Sequence, residues 1–589
     1  MTRKRQRWLM VFLAGALALS GAARAQTVTD SSLTITPVVD GGLDQPTTLA
    51  FVGPNDFLVL EKTGRVRRVL NNSLQQTAVR TFNVNTSSER GLLGIAVNGA
   101  SPRQVFLYVT EAATPEGTPI ANRVYRYDWN PAGAGSLTNQ ALLLELPVTP
   151  GPNHNAGVLT LGPPGQFPGV GDGAALFVTI GDLNRNGQLQ NNTTGSAPDD
   201  TGVIFRVLQD GSPAPGNPFA GPVISRYWGY GVRNSFGLTV DPETGSLWDT
   251  ENGPSSMDEV NRVTAGSNSG WNDIMGPDAL DPQNTDDLFD MPGAGLTYSD
   301  PEFSWAQVVA PTGILFPVGS SLGAAYDQMA LVGDNNFGNL YALPLNAGRT
   351  GFALSGMLAD LVADNQTEAN LVRLGQEFGP VTDLELGPDG HVYVVDIGGG
   401  RILRIAGPRG TADGDQDGIS DSVDNCPTVA NANQLDSDAD TVGNACDNCV
   451  SVQNPRVNMA LLTAGASANT NLVWATVTGA QRDDDHDGYG NSCDADFTPT
   501  GLNVGTQDIA QFNASSGKSR IGDTCGTSGA QPCARYDLDE GAGLNIGSPD
   551  RARLNALVGL PAGGASPAGS GKCPACPLPC VAGSAGSCF

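Results

Sequence analysis

Histidine is nearly absent from this chain: 589 residues contain three. Cysteine is missing from the first 425 residues, and all ten cysteines fall in 426–589. Basic residues are few, 32 Lys and Arg against 60 Asp and Glu, for a formal net charge of −28. After the first 25 residues no apolar run is long enough to span a bilayer. Each shortage excludes something. An acidic chain repels phosphates, so nucleic acid is not an expected partner, whereas calcium is. The mature chain is expected to have no membrane span. The cysteine-free part has no disulfide to staple it and must be large enough to stabilise itself. The scarcity of histidine makes His154 informative, because it stands between two asparagines in "GPNHNAGVLTLGP" (151–163).

What is present begins with a leader. "TRKRQR" is a basic start, "WLMVFLAGALAL" (8–19) an apolar run of signal-peptide length, and "ARA" (23–25) a cleavage-site pattern. Residues 1–25 are therefore read as a signal peptide and the protein as secreted or periplasmic. The 76 Gly and 40 Pro suit a turn-rich all-β protein.

From 27 to 408, short β-rich runs alternate with Gly, Pro, Asn and Asp turns. "VFLYVTEA" (105–112), "AALFVTIGD" (174–182) and "VTDLELGPDGHVYVVDIGGGRILRI" (381–405) are examples. No long amphipathic helix interrupts them. The length is large for one sandwich and suits a six-bladed β-propeller with roughly 60 residues and four strands per blade.

Residues 413–449 contain nine Asp and no Lys or Arg. Asp413, Asp415, Asp417, Asp421 and Asp424, then Asp436, Asp438, Asp440 and Asp447, are spaced with Gly turns that wrap oxygens around Ca²⁺. Without the ion their repulsion would unfold the segment. The stretch closely resembles thrombospondin type 3 repeats, which implies a small-module region over 413–496 with pairs Cys426–Cys446 and Cys449–Cys493. A second repeat in "QRDDDHDGYGNSCDAD" supplies Asp483, Asp485, Asp487 and Asp494, after an insertion at 456–480. His486 there is read as solvent-facing.

"DADFTPTGLNVGTQDIAQFNAS" (494–515) and "DLDEGAGLNIGSPDRARLNALVG" (537–559) form an internal repeat. It resembles a dockerin-like pair of calcium loop–helix units over 494–560, and would imply a cohesin-like or surface partner. The usual middle Asp of the loop is Thr498 or Gly541. Residues 561–589 are a Gly/Pro/Cys-rich tail whose cysteines suit disulfides.

Chemistry enters with an ordered series of turns in 27–408: "ERGLLGIA" (89–96), "NHNAGVLTLGP" (153–163), "VTIGD" (178–182), "YGVRNSFGL" (230–238) and "TENGPSSMDEVNRVTAGSNSGW" (250–271). This series resembles the glucose/sorbosone dehydrogenase family of quinoprotein aldose dehydrogenases. The resemblance implies a six-bladed propeller that uses pyrroloquinoline quinone and Ca²⁺ to oxidise an aldose sugar at C1. By it, His154 is the general base, Asp182 its carboxylate partner and Arg233 the guanidinium at the quinone oxygen. Imidazole titrates near neutrality and suits the base, and a guanidinium stabilises charge arriving with hydride. Asn234, Asn252, Asp258, Glu89 and Asn336 fall at cofactor-contacting positions. The carbonyls of Gly253 and Pro254 match the calcium ligands that seat the cofactor.

The sequence also departs from the family. Asn336 stands where a Lys is expected, and Pro380 and Thr382 where arginines are. Glu89 and Asn252 replace glutamines, and Asn153 replaces an Asp. Each lost charge-assisted hydrogen bond to a carboxylate weakens binding by ~1.5–3 kcal/mol. The alternative expectation is a propeller that binds a glycan or a protein without oxidising it, carried with calcium-binding adhesive modules.

Overall fold

A computed structural model describes residues 26–409 apart from 101, 168–172, 281–287, 293, 294 and 296. Beyond 409 it describes 413–417, 419, 421, 424–427, 429–432, 434–436, 440–447, 449–450, 477–478, 481–482, 495, 497, 504–519, 523–529, 531–533, 536, 538 and 545–558. The leader, the insertion, the tail, Cys493, His486, and Asp438, Asp483, Asp485, Asp487 and Asp494 lie outside the described residues.

Six sheets follow one another along the chain and form six propeller blades, as expected, antiparallel except where Val362–Ala363 adds in parallel to the outer strand of blade 4. Blade 1 begins with Pro46–Gly53, blade 2 with Leu92–Val97, blade 3 with Leu159–Leu161, blade 4 with Ser235–Val240, blade 5 with Pro311–Leu315 and blade 6 with Val381–Leu386. These six innermost strands neighbour one another in a closed ring. Closure uses the start of the chain. Thr34–Val39 adds as the outermost strand of blade 6, antiparallel to Arg401–Ala406.

The local sequence explains the ring. Second strands such as Asp56–Glu61, Leu176–Ile180 and Val392–Asp396 are buried along their whole length because a neighbouring blade covers each face. Trp248, Phe303, Trp305 and Tyr341 are wholly buried where blades 4 and 5 meet. Each such side chain contributes ~1.5–3 kcal/mol through the apolar area it removes from water. At the axis, side-chain hydroxyls stitch blades together. Thr47 Oγ1 donates to the Leu92 carbonyl, Thr250 Oγ1 to that of Thr312, Thr312 Oγ1 to that of Val381 and Thr382 Oγ1 to that of Pro46. Two glycines allow the strands this close. A Cβ at Gly94 would lie 2.1 Å from the Gly157 carbonyl oxygen, and one at Gly237 2.1 Å from that of Thr312.

Antiparallel order puts the turn after each second strand, and the link into the next blade, on one face of the ring. That face gathers the turns holding Lys62, Glu89, His154, Asp182, Arg233 and Gly253. The turns after each first strand, such as 387–391, lie at the other end.

Farther along, Cys426 and Cys446 are joined as the type 3 resemblance implies. Cys525 and Cys533 form a second disulfide. The internal repeat yields two matched ten-residue helices, Thr506–Ser515 and Ser548–Leu557. Each starts at a glycine whose N–H donates to the Asp at the third helical position, Gly505 to Asp508 at 2.8 Å and Gly547 to Asp550 at 2.7 Å. Phe497, Phe512, Tyr536 and Leu554 form their shared core. Among the described residues no helix is long and apolar enough to cross a membrane.

Candidate active site

His154 sits in the link between blades 2 and 3, in a left-handed backbone conformation with φ +60°. A non-glycine residue holds that conformation only where its surroundings fix it. Here the clamp is explicit. Glu89 Oε2 accepts the backbone N–H of His154 at 2.5 Å, that of Asn155 at 3.2 Å, and the Asn234 side-chain amide at 3.1 Å. Asn234 Oδ1 in turn accepts the Ala156 N–H at 3.3 Å. Glu89 and Asn234, expected at the cofactor, thus spend these hydrogen bonds on the histidine loop.

The imidazole is addressed separately. His154 Nδ1 lies 2.5 Å from Asp182 Oδ1, with both side chains largely buried. Asp182 stands just after the second strand of blade 3, Leu176–Ile180, and its own N–H donates to the Arg233 carbonyl at 2.9 Å. Its Oδ1 also takes the Asn184 N–H at 2.7 Å, and its Oδ2 takes the indole N–H of Trp271 at 2.7 Å. With the Asn184 N–H and the Trp271 indole donating to it, Asp182 acts as the acceptor for the ring nitrogen as well. The imidazole hydrogen is then on Nδ1, which leaves Nε2 with a lone pair for proton abstraction.

Arg233 comes from the link between blades 3 and 4. Its Nη1 donates to the Asn252 carbonyl at 2.6 Å, and its guanidinium carbon stands 5.1 Å from the Trp271 ring centroid. Burial pushes its pKa down, opposed by Asp182, Glu251, Glu89 and Asp258. The link's own N–H is received by Glu251 Oε1 at 2.5 Å.

The Gly253–Met257 turn requires its glycine, since a Cβ at 253 would meet the Ser256 carbonyl oxygen at 2.0 Å. Asp258 accepts the Gly253 N–H at 2.8 Å and those of Val309 and Ala310 at 2.6 and 2.8 Å. Those bonds make Asp258 the brace of the turn. Among the described residues, neither the Gly253 nor the Pro254 carbonyl accepts a hydrogen bond. Carbonyl oxygens of this kind are ligands that a hard cation can take.

A cavity of 690 Å³ runs from this face down the axis. Its mouth includes Lys62, Glu89, Asn252 and Asn335, and Asp383 and Glu385 lie along it. His154 and Arg233 border it through Ala156 and Asn252 rather than lining it themselves. That volume is in the range of small-ligand sites. Two buried polar atoms beside it have no hydrogen bond among the described residues, Arg233 Nε and Asn252 Oδ1. Together they offer one donor and one acceptor to a polar ligand.

The cation positions differ from the family pattern as the sequence indicates. Asn336 is exposed and its amide reaches the Val308 carbonyl at 3.4 Å, so it is Asn335 that lines the cavity. Thr382 bonds Pro46 across blades. Arg401 is paired with Asp396 at 2.6 Å on the site's face, whereas Arg404 faces Asp389 at the other end of its blade. Among the described residues Lys62 is the one basic residue that lines the cavity. Its ammonium donates to the carbonyls of Thr86 and Ser88 at 2.9 and 2.7 Å, and burial lowers its pKa. Sequence reading missed both Lys62 and Trp271. The Lys in "EKTG" was the available signal for the first.

Behind the Gly253 turn, blade 4 buries several acids. Burial pushes Asp249 up to about 7, Glu259 up to about 8 and Glu302 up to about 7. Glu251, opposite Glu259 in the ladder, is driven well above the ordinary range by burial, with Glu259 and Asp249 adding to it.

In the acidic segment, Asp413, Asp415 and Asp417 bring oxygens within 4.8 Å of one another. Burial, with the charges of Asp417, Asp424 and Asp413, raises the pKa of Asp415. Asp421, Asp424, Asp436, Asp440 and Asp447 each accept a backbone N–H and shape the loops.

A model of the glucose/sorbosone dehydrogenase family matches residues 43–404, and one of the thrombospondin type 3 repeat matches 411–434. The Synechocystis sp. protein slr1608 is 30% identical over 399 residues, covering 63% of this chain and 85% of its own length. Aldose sugar dehydrogenase YliI of Escherichia coli (strain K12) is 25% identical over 412 residues, 68% of this chain and 98% of its own length. Quinoprotein glucose dehydrogenase B of Acinetobacter calcoaceticus is 27% identical over 265 residues, 41% of this chain and 52% of its own length.

Proposed function

The chain belongs to the glucose/sorbosone dehydrogenase family, and on that premise we propose that it oxidises an aldose at C1, with pyrroloquinoline quinone seated by Ca²⁺. One observation carries the reading: His154 with Asp182, and Arg233 beside them, meet on one face of the ring, next to a cavity whose wall includes Ala156 and Asn252. The names of the relatives, a quinoprotein glucose dehydrogenase and an aldose sugar dehydrogenase, support the reaction class.

When bound, the quinone supplies the hydride acceptor. The protein's residues do the rest. His154 Nε2 takes the proton of the sugar's anomeric hydroxyl, and Asp182 holds the imidazole in position and favours the imidazolium that results. Arg233 presents a cation to the oxygen on which charge builds. The carbonyls of Gly253 and Pro254 would hold Ca²⁺, with Asp258 fixing their turn. Glu89 and Asn234 keep the histidine loop in its strained conformation.

The acidic loops at 413–449 are proposed to take further calcium ions, as the type 3 match supports. The disulfides and that repeat support a protein working outside the cell or in the periplasm, exported by its leader. The dockerin-like reading of 494–560 and its cohesin-like partner are proposed on the matched helices.

The test is to express the mature chain, add Ca²⁺ and pyrroloquinoline quinone, and measure cofactor binding and dye reduction with a panel of aldoses. Turnover supports the reading; neither binding nor turnover ends it. The neutral residues at 336, 380 and 382 favour a second reading, a propeller that binds sugar without oxidising it. It would show sugar binding with no dye reduced.

A further inference from the structure

We propose that Trp271 is a positioning residue that stands between Asp182 and Arg233, keeping the carboxylate on His154 and the guanidinium free for the ligand. This inference rests on the reading of His154 and Arg233 as the reacting pair.

Asp182 and Arg233 leave the backbone at neighbouring points, since the N–H of one donates to the carbonyl of the other at 2.9 Å. Opposite charges so placed would ordinarily pair, most strongly as a guanidinium on both carboxylate oxygens. Among the described residues they do not pair. Asp182 Oδ1 is given to His154 Nδ1, at 2.5 Å, and Oδ2 to the indole N–H of Trp271, at 2.7 Å. The same indole offers its ring to Arg233, whose guanidinium carbon is 5.1 Å from the ring centroid.

One side chain thus satisfies the second carboxylate oxygen with a neutral donor and supports the cation through its π face. Tryptophan alone combines a broad ring with an N–H that only donates. Phenylalanine has the ring without the donor. A leucine has neither, and would leave Asp182 Oδ2 and Arg233 Nε, which has no hydrogen bond among the described residues, to find each other. Such a pair would neutralise the guanidinium and divide the Asp182 charge between Arg233 and His154.

The backbone that carries the indole is itself held. The Trp271 backbone N–H donates to the Gly231 carbonyl at 3.0 Å, and its backbone carbonyl accepts the Asn191 side-chain amide at 2.8 Å. Asn191 and Asn268 exchange amide hydrogen bonds at 3.0 and 2.7 Å, both buried. The separator therefore belongs to the connection between the third and fourth strands of blade 4, Asp258–Val263 and Phe303–Trp305, while the groups it separates belong to blade 3 and to the link from blade 3 into blade 4.

The experiment uses Trp271→Phe and Trp271→Leu in the full mature chain, with melting temperature as a fold control. The first readout needs no cofactor. In the ¹⁵N spectrum of the wild type, the Trp271 indole N–H is expected far downfield and slow to exchange, and Asp182→Asn should move it upfield. The second readout splits the two functions. With cofactor and sugar, Trp271→Phe should bind pyrroloquinoline quinone within about threefold of wild type, while kcat falls by about tenfold to a hundredfold at unchanged KM. The acid limb of its pH–rate profile should move to higher pH, because Asp182 loses a donor and holds the proton on the imidazole more tightly. Trp271→Leu should lose cofactor affinity as well, and adding Arg233→Gln to it should cost little more. An indole signal in the ordinary range, insensitive to Asp182→Asn, overturns the proposal, as does a Trp271→Phe enzyme with wild-type kcat and pH profile. If Trp271→Leu does not fold, the indole signal and Trp271→Phe decide. A wild type that binds no quinone instead ends the dehydrogenase reading and leaves the indole measurement to judge the separator by itself.

Discussion

Glu89 holds His154 by its backbone and not by its ring: Glu89 Oε2 receives the His154 N–H at 2.5 Å and the next N–H in the chain at 3.2 Å. A residue expected to touch a cofactor is therefore part of what fixes the proposed base in a left-handed conformation at φ +60°. Glu89→Ala should leave two N–H groups and the Asn234 amide without an acceptor. Turnover is expected to fall by roughly tenfold or more, with the melting temperature lowered by several degrees. Glu89→Gln keeps one acceptor oxygen and should retain more of both. Steady-state kinetics and thermal unfolding of the two variants check this; equal loss in both would point to the charge instead.

The buried acids of blade 4 set a pH dependence of stability. Asp249, ordinarily at 3.8, and Glu259, ordinarily at 4.5, are pushed by burial to about 7 and about 8. Between the ordinary and raised values the folded chain holds protons that the unfolded chain has lost, so stability falls as pH rises from near 4 to about 8. The slope is on the order of 1 kcal/mol per pH unit for each group. Thermal unfolding in chelator from pH 5 to 8.5 should show the melting temperature falling, and Asp249→Asn should flatten the fall.

Lys62 is the cationic side chain of the cavity wall. Lys62→Gln should weaken binding of the acidic cofactor by about tenfold or more, and Lys62→Arg by less. Fluorescence titration with pyrroloquinoline quinone at two salt concentrations measures it, and the salt dependence should shrink in the Gln variant.

Calcium should order the acidic loops. Chelation is expected to unfold 413–449, where Asp413, Asp415 and Asp417 crowd their oxygens within 4.8 Å, while the propeller stays folded. Circular dichroism during a calcium titration, read against propeller unfolding, tests this. A spectrum indifferent to chelator would contradict it.

What the sequence made legible was local. "LFVTIGD" and "VYVVDIGGG" show their strands and turns within a few residues, and the type 3 spacing carries its own pattern. The histidine–carboxylate pair was legible because both stand in motif turns. What escaped depends on long closures. Trp271 meets Asp182 across 89 residues, and Glu89 meets Asn234 across 145. Those contacts exist only once the ring closes, and no spacing along the chain encodes them. Asn335 rather than Asn336 faces the cavity because a turn's rotation decides which neighbour points inward. Lys62 was visible as a residue, but its place at the mouth follows from the blade 1 turn lying on the same face as His154.

The most direct test of the central claim compares wild type with His154→Ala in a dye-reduction assay, each loaded with Ca²⁺ and pyrroloquinoline quinone. The account predicts sugar-dependent dye reduction by the wild type and a loss of about 10²–10⁴-fold in the variant, with its cofactor binding and melting temperature preserved. A variant that turns over sugar as fast as the wild type would contradict it.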